Sequence, residues 1–253
     1  MILLIDVGNS RVKWAPLEQG RVGTQQAAVY RDWSVQDWRQ QLFAPLQPTR
    51  VVACSVASPA ACALIDAASV DETGRPSQWV VSTAAAAGVT NGYRNPLQLG
   101  ADRWVAIIGA HRTWAADCCV VDVGTAMTID VVTGSGRHEG GLIVPGPTLM
   151  IDSLHAQTSD LAARSAASAD PARSAFADQT RDAIENGCEL ALAALAERAC
   201  RSFGLRVGSK PRLVFTGGGA ARVRSWVTLP SEDVPDLVLR GLAAHNTRPG
   251  RCW

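Results

Sequence analysis

Two short stretches of this chain set an aspartate beside a glycine at the end of an apolar run. Leu4-Ile5-Asp6-Val7-Gly8-Asn9-Ser10 lies at the start, and Val120-Val121-Asp122-Val123-Gly124-Thr125-Ala126 lies near the middle. A glycine turn lets backbone N–H groups approach an anion, while a neighbouring carboxylate can hold a hydrated cation. One such turn is ordinary loop chemistry. Two copies with matched upstream strands point instead to two facing phosphate–metal clamps. Lys13, one of only two lysines (the other is Lys210), falls inside the first copy.

Between the copies runs Gly92-Tyr93-Arg94-Asn95-Pro96-Leu97-Gln98-Leu99-Gly100-Ala101-Asp102-Arg103, leading into the helical pattern Trp104, Val105, Ile107, Ile108, His111. An aspartate at a helix start is held ionised by the free N–H groups and the backbone dipole. Taken alone, that is the usual mark of a helix cap; the same carboxylate pointed at a substrate hydroxyl could accept its proton. Arg103 adds a planar guanidinium fork for an anionic group. Near the C-terminus, Leu213-Val214-Phe215-Thr216-Gly217-Gly218-Gly219 reads as a strand running into bare backbone. A nucleotide base could lie against such glycines, and a plain strand–turn–helix corner explains them as well. The run is neither a Walker motif nor a dinucleotide fingerprint, because its glycines are consecutive and no Lys-Ser/Thr follows.

The positioning elements follow from the hydrophobic pattern. After each glycine turn the chain resumes as a strand, Val12-Lys13-Trp14 and then Met127 to Val132, so both copies read as β-hairpins. The first half continues with a strand near Gly23–Tyr30, a helix around Ser34–Phe43, a strand Val51–Val56, a helix Pro59–Ala68 and a strand at Trp79–Val81. The second half offers strands at Cys118–Val123, Thr128–Val132 and near Gly141–Val144, then helices, a strand Arg212–Thr216 and a closing helix near Pro235–Ala244. This alternation argues for an α/β protein with largely parallel sheets and a boundary near residue 117. One long amphipathic helix shows Ile184, Cys188, Ala191, Leu192, Leu195, Ala199 and Phe203 on one face, with Gly204 as its stop. The Ala/Ser/Asp-rich stretch from about Gln157 to Ala177 reads as a mobile loop or frayed helix that could act as a lid.

Composition bounds the function classes. At 253 residues, with 47% hydrophobic and 19% charged content, the chain is that of a soluble globular protein. It has no apolar run near the ~20 residues of a membrane helix and no basic leader, which predicts a cytoplasmic protein without a membrane partner. A net charge of +1 supplies no field for nucleic acid. Seven cysteines without C-x-x-C spacing read as reduced core residues, and the four scattered histidines show no ligand spacing.

Taken in order, the two Asp-x-Gly hairpins, the Gly-Ala-Asp-Arg helix start, Gly140-Gly141-Leu142-Ile143-Val144-Pro145-Gly146 and the Thr-Gly-Gly turn resemble type III pantothenate kinase over essentially the whole chain. The resemblance implies duplicated ribonuclease-H-like domains of the actin-like ATPase kind, residues 1–117 and 118–253, with a nucleotide cleft between them. It implies ATP-dependent phosphorylation of pantothenate, the first step of coenzyme A synthesis. Asp102 would be the general base. Asp6, Val7, Gly8, Asn9, Ser10, Arg11, Val12 and Lys13 would bind ATP through its phosphates, joined in ATP binding by Thr125, Gly217 and Gly218. Tyr93, Gly100, Ala101, Asp102, Arg103 and Thr180 would hold pantothenate. Mg²⁺ would sit near Asp6, in part through water, and a potassium or ammonium ion near Asp122. The implied assembly is a homodimer with the pantothenate site at the subunit interface. Three positions depart from the family habit: Ser10 replaces a common threonine, Met127 stands where shorter residues are frequent, and Cys118-Cys119 opens a strand usually aliphatic. The rival readings are a transcriptional accessory protein that keeps the kinase fold, and an actin-like nucleotide switch.

Overall fold

β1 (Ile2–Val7) is a nearly continuous apolar run and is buried along its length, as a strand covered on both faces must be; Asp6 is its one charged residue. β2 (Arg11–Glu18) returns antiparallel and sets Lys13 opposite Asp6. The strand expected near Gly23–Tyr30 is instead two short strands, β3 (Arg21–Val22) and β4 (Gln26–Val29), both paired to β2. The break falls at Gly23, whose N–H donates to Pro16 O at 2.8 Å and where a Cβ would come within 2.8 Å of the Pro16 ring. α1 (Val35–Trp38) starts at Ser34 with a reciprocal Ser34–Asp37 capping box and widens into a π-type turn at Arg39–Phe43. β5 (Arg50–Ser55) lies parallel to β1 with Cys54 opposite Asp6. α2 (Pro59–Thr73) runs past the expected end at Ala68 to a left-handed Gly74. β6 (Gln78–Trp79) completes the sheet order β3-β2-β1-β5-β6, shorter than expected because Val81 turns out to solvent. A small hairpin that the sequence did not suggest, β7 (Ala85–Ala86) and β8 (Val89–Thr90), precedes α3 (Ala101–Trp114).

In the second half, β9 (Cys118–Val123), β10 (Ala126–Val132) and β11 (His138–Pro145) are followed by α4 (Pro147–Gln157) and α5 (Thr180–Val207). Then come β12 (Arg212–Thr216), α6 (Ala220–Arg224), β13 (Ser231–Asp233) and α7 (Leu237–Asn246). The sheet order is β11-β10-β9-β12-β13, with β12 parallel to both β9 and β13. This computed structural model describes residues 1–157 and 174–246, so most of the stretch expected as a lid lies outside the described residues.

The chain divides into two compact units. One holds Met1–Ala116, Val132–Gly140 and the chain from Pro235 onward; the other holds Asp117–Val131 and Gly141–Val234. Two apolar clusters serve them separately, one built on Leu3, Ile5, Val7, Trp14, Trp38 and Phe43, the other on Val121, Val123, Met127, Ile129, Leu192 and Phe215. The closing helix α7, read from sequence with the second half, packs in the first unit against α3 and β1. Glycines explain how closely it does so: a side chain on Gly241 would overlap the Val105 carbonyl, and one on Gly109 would meet Gly241 N at 3.1 Å.

Two expectations for the long helix are corrected. Gly204 lies inside α5, and Gly208, at φ 70°, ends it. Gly204 is glycine for space, since a Cβ there would come within 2.8 Å of Ser209 O and 2.9 Å of Pro211 Cδ. The buried face carries Cys188, Leu192, Ala196, Cys200 and Phe203, widened by Glu189 and Ala193, and this rotation leaves Ala191 exposed.

Candidate active site

The first hairpin places Asp6 between Lys13 on one neighbouring strand and Cys54 on the other. Asp6 is 7% exposed, and the Cys54 thiol donates to its Oδ1 at 3.7 Å. Burial pushes the Cys54 thiol well above its usual range; the Asp6 and Asp102 carboxylates push it further, and Lys13 opposes them. Asp6, Lys13 and Asp102 therefore act on one neutral thiol and share one electrostatic neighbourhood. The turn itself is Gly8-Asn9-Ser10. Gly8 donates its N–H to Arg11 O at 3.0 Å, and its carbonyl accepts from Tyr30 Oη at 2.6 Å, a brace that nothing near the motif announces. Val7 and Val12 bury their side chains in the core, so each offers a ligand only backbone, while Arg11 is exposed.

The second hairpin turns through Gly124-Thr125, and Thr125 is exposed. Glycine backbone surrounds it. Gly217 follows β12 in a left-handed conformation, φ 93°, where a Cβ would overlap Asp122 Oδ1. Gly219 donates to Val123 O at 2.8 Å, and Gly146 donates to Thr125 O at the same distance. A side chain on Gly146 would overlap Gly124 O, whereas Gly218 faces open space. The structure thus gathers Asp122, Thr125, Gly217 and Gly218 within the second unit. It adds Gly146, whose signal in the sequence was the Pro-Gly step closing β11.

Gly100 is the N-cap residue of α3 and contributes no side chain, so Asp102 stands in the first turn without being the cap. Its Oδ1 accepts the Arg103 N–H at 2.7 Å. A side chain on Gly100 would approach the same oxygen to 2.8 Å, so glycine there leaves that oxygen room. Arg103 is 7% exposed; its Nη1 donates to Tyr93 Oη at 2.9 Å, and its guanidinium carbon lies 5.6 Å from the Tyr93 ring centre. Asn91 supports the loop, accepting the Tyr93 N–H at 3.0 Å and donating to Ser82 Oγ at 2.9 Å. A cavity of about 400 Å³ opens beside Gly100 and Ala101, walled by Ser55, Val56, Trp79 and Leu99. Thr180 begins α5 in the second unit, on the wall of an apolar groove of about 460 Å³ with Met150, Leu154, Ala183, Ile184 and Gly187.

Among the described residues no three His, Cys, Asp or Glu side chains form a ready-made metal cage. Mg²⁺ at a nucleotide site needs none, because it keeps several waters and takes one or two carboxylates with the substrate phosphates. Asp6, buried at a strand end beside Lys13, fits that donor set.

The fold and these turns define a class. Component A of the (R)-2-hydroxyglutaryl-CoA dehydratase of Acidaminococcus fermentans superposes with a TM-score of 0.54 at 14% identity, covering 96% of this chain and 95% of that one. At that identity the likeness concerns the fold alone, the duplicated ribonuclease-H-like architecture of actin-like ATPases and sugar kinases. Sequence likeness goes further. A type III pantothenate kinase from Laribacter hongkongensis is 39% identical over 244 residues, covering 96% of this chain and 97% of its own. Another, from Cupriavidus taiwanensis, is 39% identical over 272 residues, covering 96% of both. The family model for type III pantothenate kinase matches residues 2–202, and the chain belongs to that family.

Proposed function

We infer that this protein transfers the terminal phosphoryl group of ATP to the primary hydroxyl of pantothenate, giving 4′-phosphopantothenate and opening coenzyme A synthesis. Beyond family membership, one observation supports this reading most: the Asp102 carboxylate, in the first turn of α3 and not at its N-cap position, stands next to the buried Arg103 guanidinium and its Tyr93 partner. A nucleotide switch needs no such acceptor-substrate group. In the proposed division of labour, the Gly8 and Gly124 turns, Ser10, Lys13 and Thr125 hold phosphate oxygens, and Gly217-Gly218 line the base. Tyr93, Gly100, Ala101 and Arg103 hold pantothenate, and Thr180 completes the pocket from a second subunit of a homodimer.

Phosphoryl transfer is mainly positioning and charge neutralisation, so these donors carry the larger share of the catalysis. Asp102 accepts the hydroxyl proton late, a task an ordinary ionised carboxylate performs and that contributes ~10²–10⁴-fold. Asp6 would hold Mg²⁺, in part through water, and the ion would supply charge neutralisation at the phosphates. Asp122 would hold a potassium or ammonium ion that would supply charge neutralisation at the second turn. We place the enzyme in the cytoplasm; among the described residues no helix is long and apolar enough to cross a membrane.

The direct test is ADP release by the purified protein with and without pantothenate. Release that depends on pantothenate is expected, and release indifferent to it would favour the nucleotide switch. Binding of labelled duplex DNA at physiological salt would revive the transcriptional reading, which the near-neutral charge disfavours.

A further inference from the structure

We propose that His138 is a positioning residue for the acceptor-substrate site and acts through Tyr93; the proposal rests on the pantothenate kinase reading above. His138 is fully buried at the start of β11, in the Val132–Gly140 segment that belongs to the first unit. That segment is anchored beside the site: Thr90 donates its N–H to Gly136 O at 2.8 Å and bridges to Arg137. The His138 ring stacks on the Tyr93 ring with centres 5.8 Å apart and planes 18° apart. Its Nδ1 accepts the Gly92 N–H at 3.4 Å, and its backbone carbonyl occupies the space a side chain on residue 92 would need. Ring and backbone together pin the Gly92-Tyr93 step.

Tyr93 in turn receives the Arg103 hydrogen bond, and Arg103 is the neighbour of Asp102 on the first turn of α3. The order of dependence is therefore His138, Tyr93, Arg103. Accepting an N–H fixes the role of Nδ1, so the ring does two jobs that no single ordinary replacement reproduces: Phe keeps the stacked face and loses the acceptor, while Gln keeps an acceptor and loses the face.

The test separates substrate positioning from general damage. For His138→Phe the expected result is a rise of about tenfold in the KM for pantothenate, with the KM for ATP within about twofold and kcat within about threefold of wild type. His138→Gln should move the same constant in the same direction. On a Tyr93→Ala background, His138→Phe should add less than about twofold, because the residue through which it acts is gone. Equal rises in both KM values, an unchanged pantothenate KM, or full additivity with Tyr93→Ala would each overturn the proposal. Should neither variant fold, wild-type protein labelled with ¹⁵N-histidine decides: pantothenate, and not ADP, should shift the His138 ring signals, and no shift overturns the role. Wild-type protein without pantothenate-dependent turnover would overturn the kinase reading and this proposal together, whereas an active wild type with an indifferent His138→Phe would remove this proposal alone.

Discussion

The two Asp-x-Gly hairpins begin from nearly the same residues and are finished by different means. In the first, the turn is Gly8-Asn9-Ser10, the aspartate is buried between Lys13 and Cys54, and a distant tyrosine side chain braces the turn carbonyl. In the second, the turn is Gly124-Thr125, the aspartate is half-exposed, and the bracing comes from the backbone of Gly146, Gly217 and Gly219. The two hairpins share a strand, a carboxylate and a turn. Their surroundings differ, with charged side chains near Asp6 and Asp102 in one unit and glycine backbone beside Asp122 in the other. That difference is what the following experiments attack.

The largest effect should come from Asp102→Asn, which keeps shape and removes the proposed proton acceptor: turnover should fall by at least ~10²-fold with folding intact. Equal turnover would leave the charged unit without its chemistry. Next, Asp6→Asn and Asp122→Asn should part company. We expect the first to raise the Mg²⁺ concentration for half-maximal rate by about tenfold or more, because it removes the buried carboxylate beside Lys13. The second should change the response to potassium more than the response to Mg²⁺. Identical metal titrations of the two mutants would erase the distinction between the hairpins.

Much of this arrangement was legible in the sequence, for identifiable reasons. Strands β9 and β12 were read at their observed ends because both are short buried runs bounded by a charge or glycine, the pattern a central parallel strand imposes. Tyr93, Asp102 and Arg103 were read from one loop-to-helix segment, and local spacing was enough to bring them together. His138, Tyr30 and Asn91 were not legible. His138 meets Tyr93 only because the β10–β11 connection packs in the first unit, and Tyr30 meets Gly8 only because β4 lies on β2. Neither path leaves a periodic trace. The same limit explains α5: from sequence Gly204 looked like a stop, yet its role is to let Pro211 pass, which only the tertiary path reveals.

Stability provides a finer comparison. Gly217→Ala should cost about 1–3 kcal/mol, since it adds a side chain at φ 93° against the Asp122 carboxylate, and urea unfolding would measure it. A shift within ~0.5 kcal/mol would mean that the backbone wall around Asp122 is not needed to hold the second turn.

The smallest effects separate the turn glycines themselves. Neither Gly8 nor Gly124 is in a left-handed conformation, so alanine meets no backbone strain of that kind at either. At Gly124 a Cβ would be 3.6 Å from Ala126 O, an ordinary contact, and Gly124→Ala should leave stability unchanged or raise it by up to ~1 kcal/mol through a stiffer unfolded chain. At Gly8 the contact with Arg11 O would be 3.2 Å, tight enough that Gly8→Ala should lose up to ~1 kcal/mol. Both changes should nevertheless raise the KM for ATP if the proposed site is right, because the methyl group would crowd the turn backbone that phosphate oxygens are proposed to approach. The pairing of these results carries the argument: a stable Gly124→Ala protein with weakened ATP use would mean that its glycine serves the ligand and not the fold. A Gly124→Ala protein with wild-type ATP use would show that the second turn does not contact phosphate, and would leave the first hairpin as the only clamp.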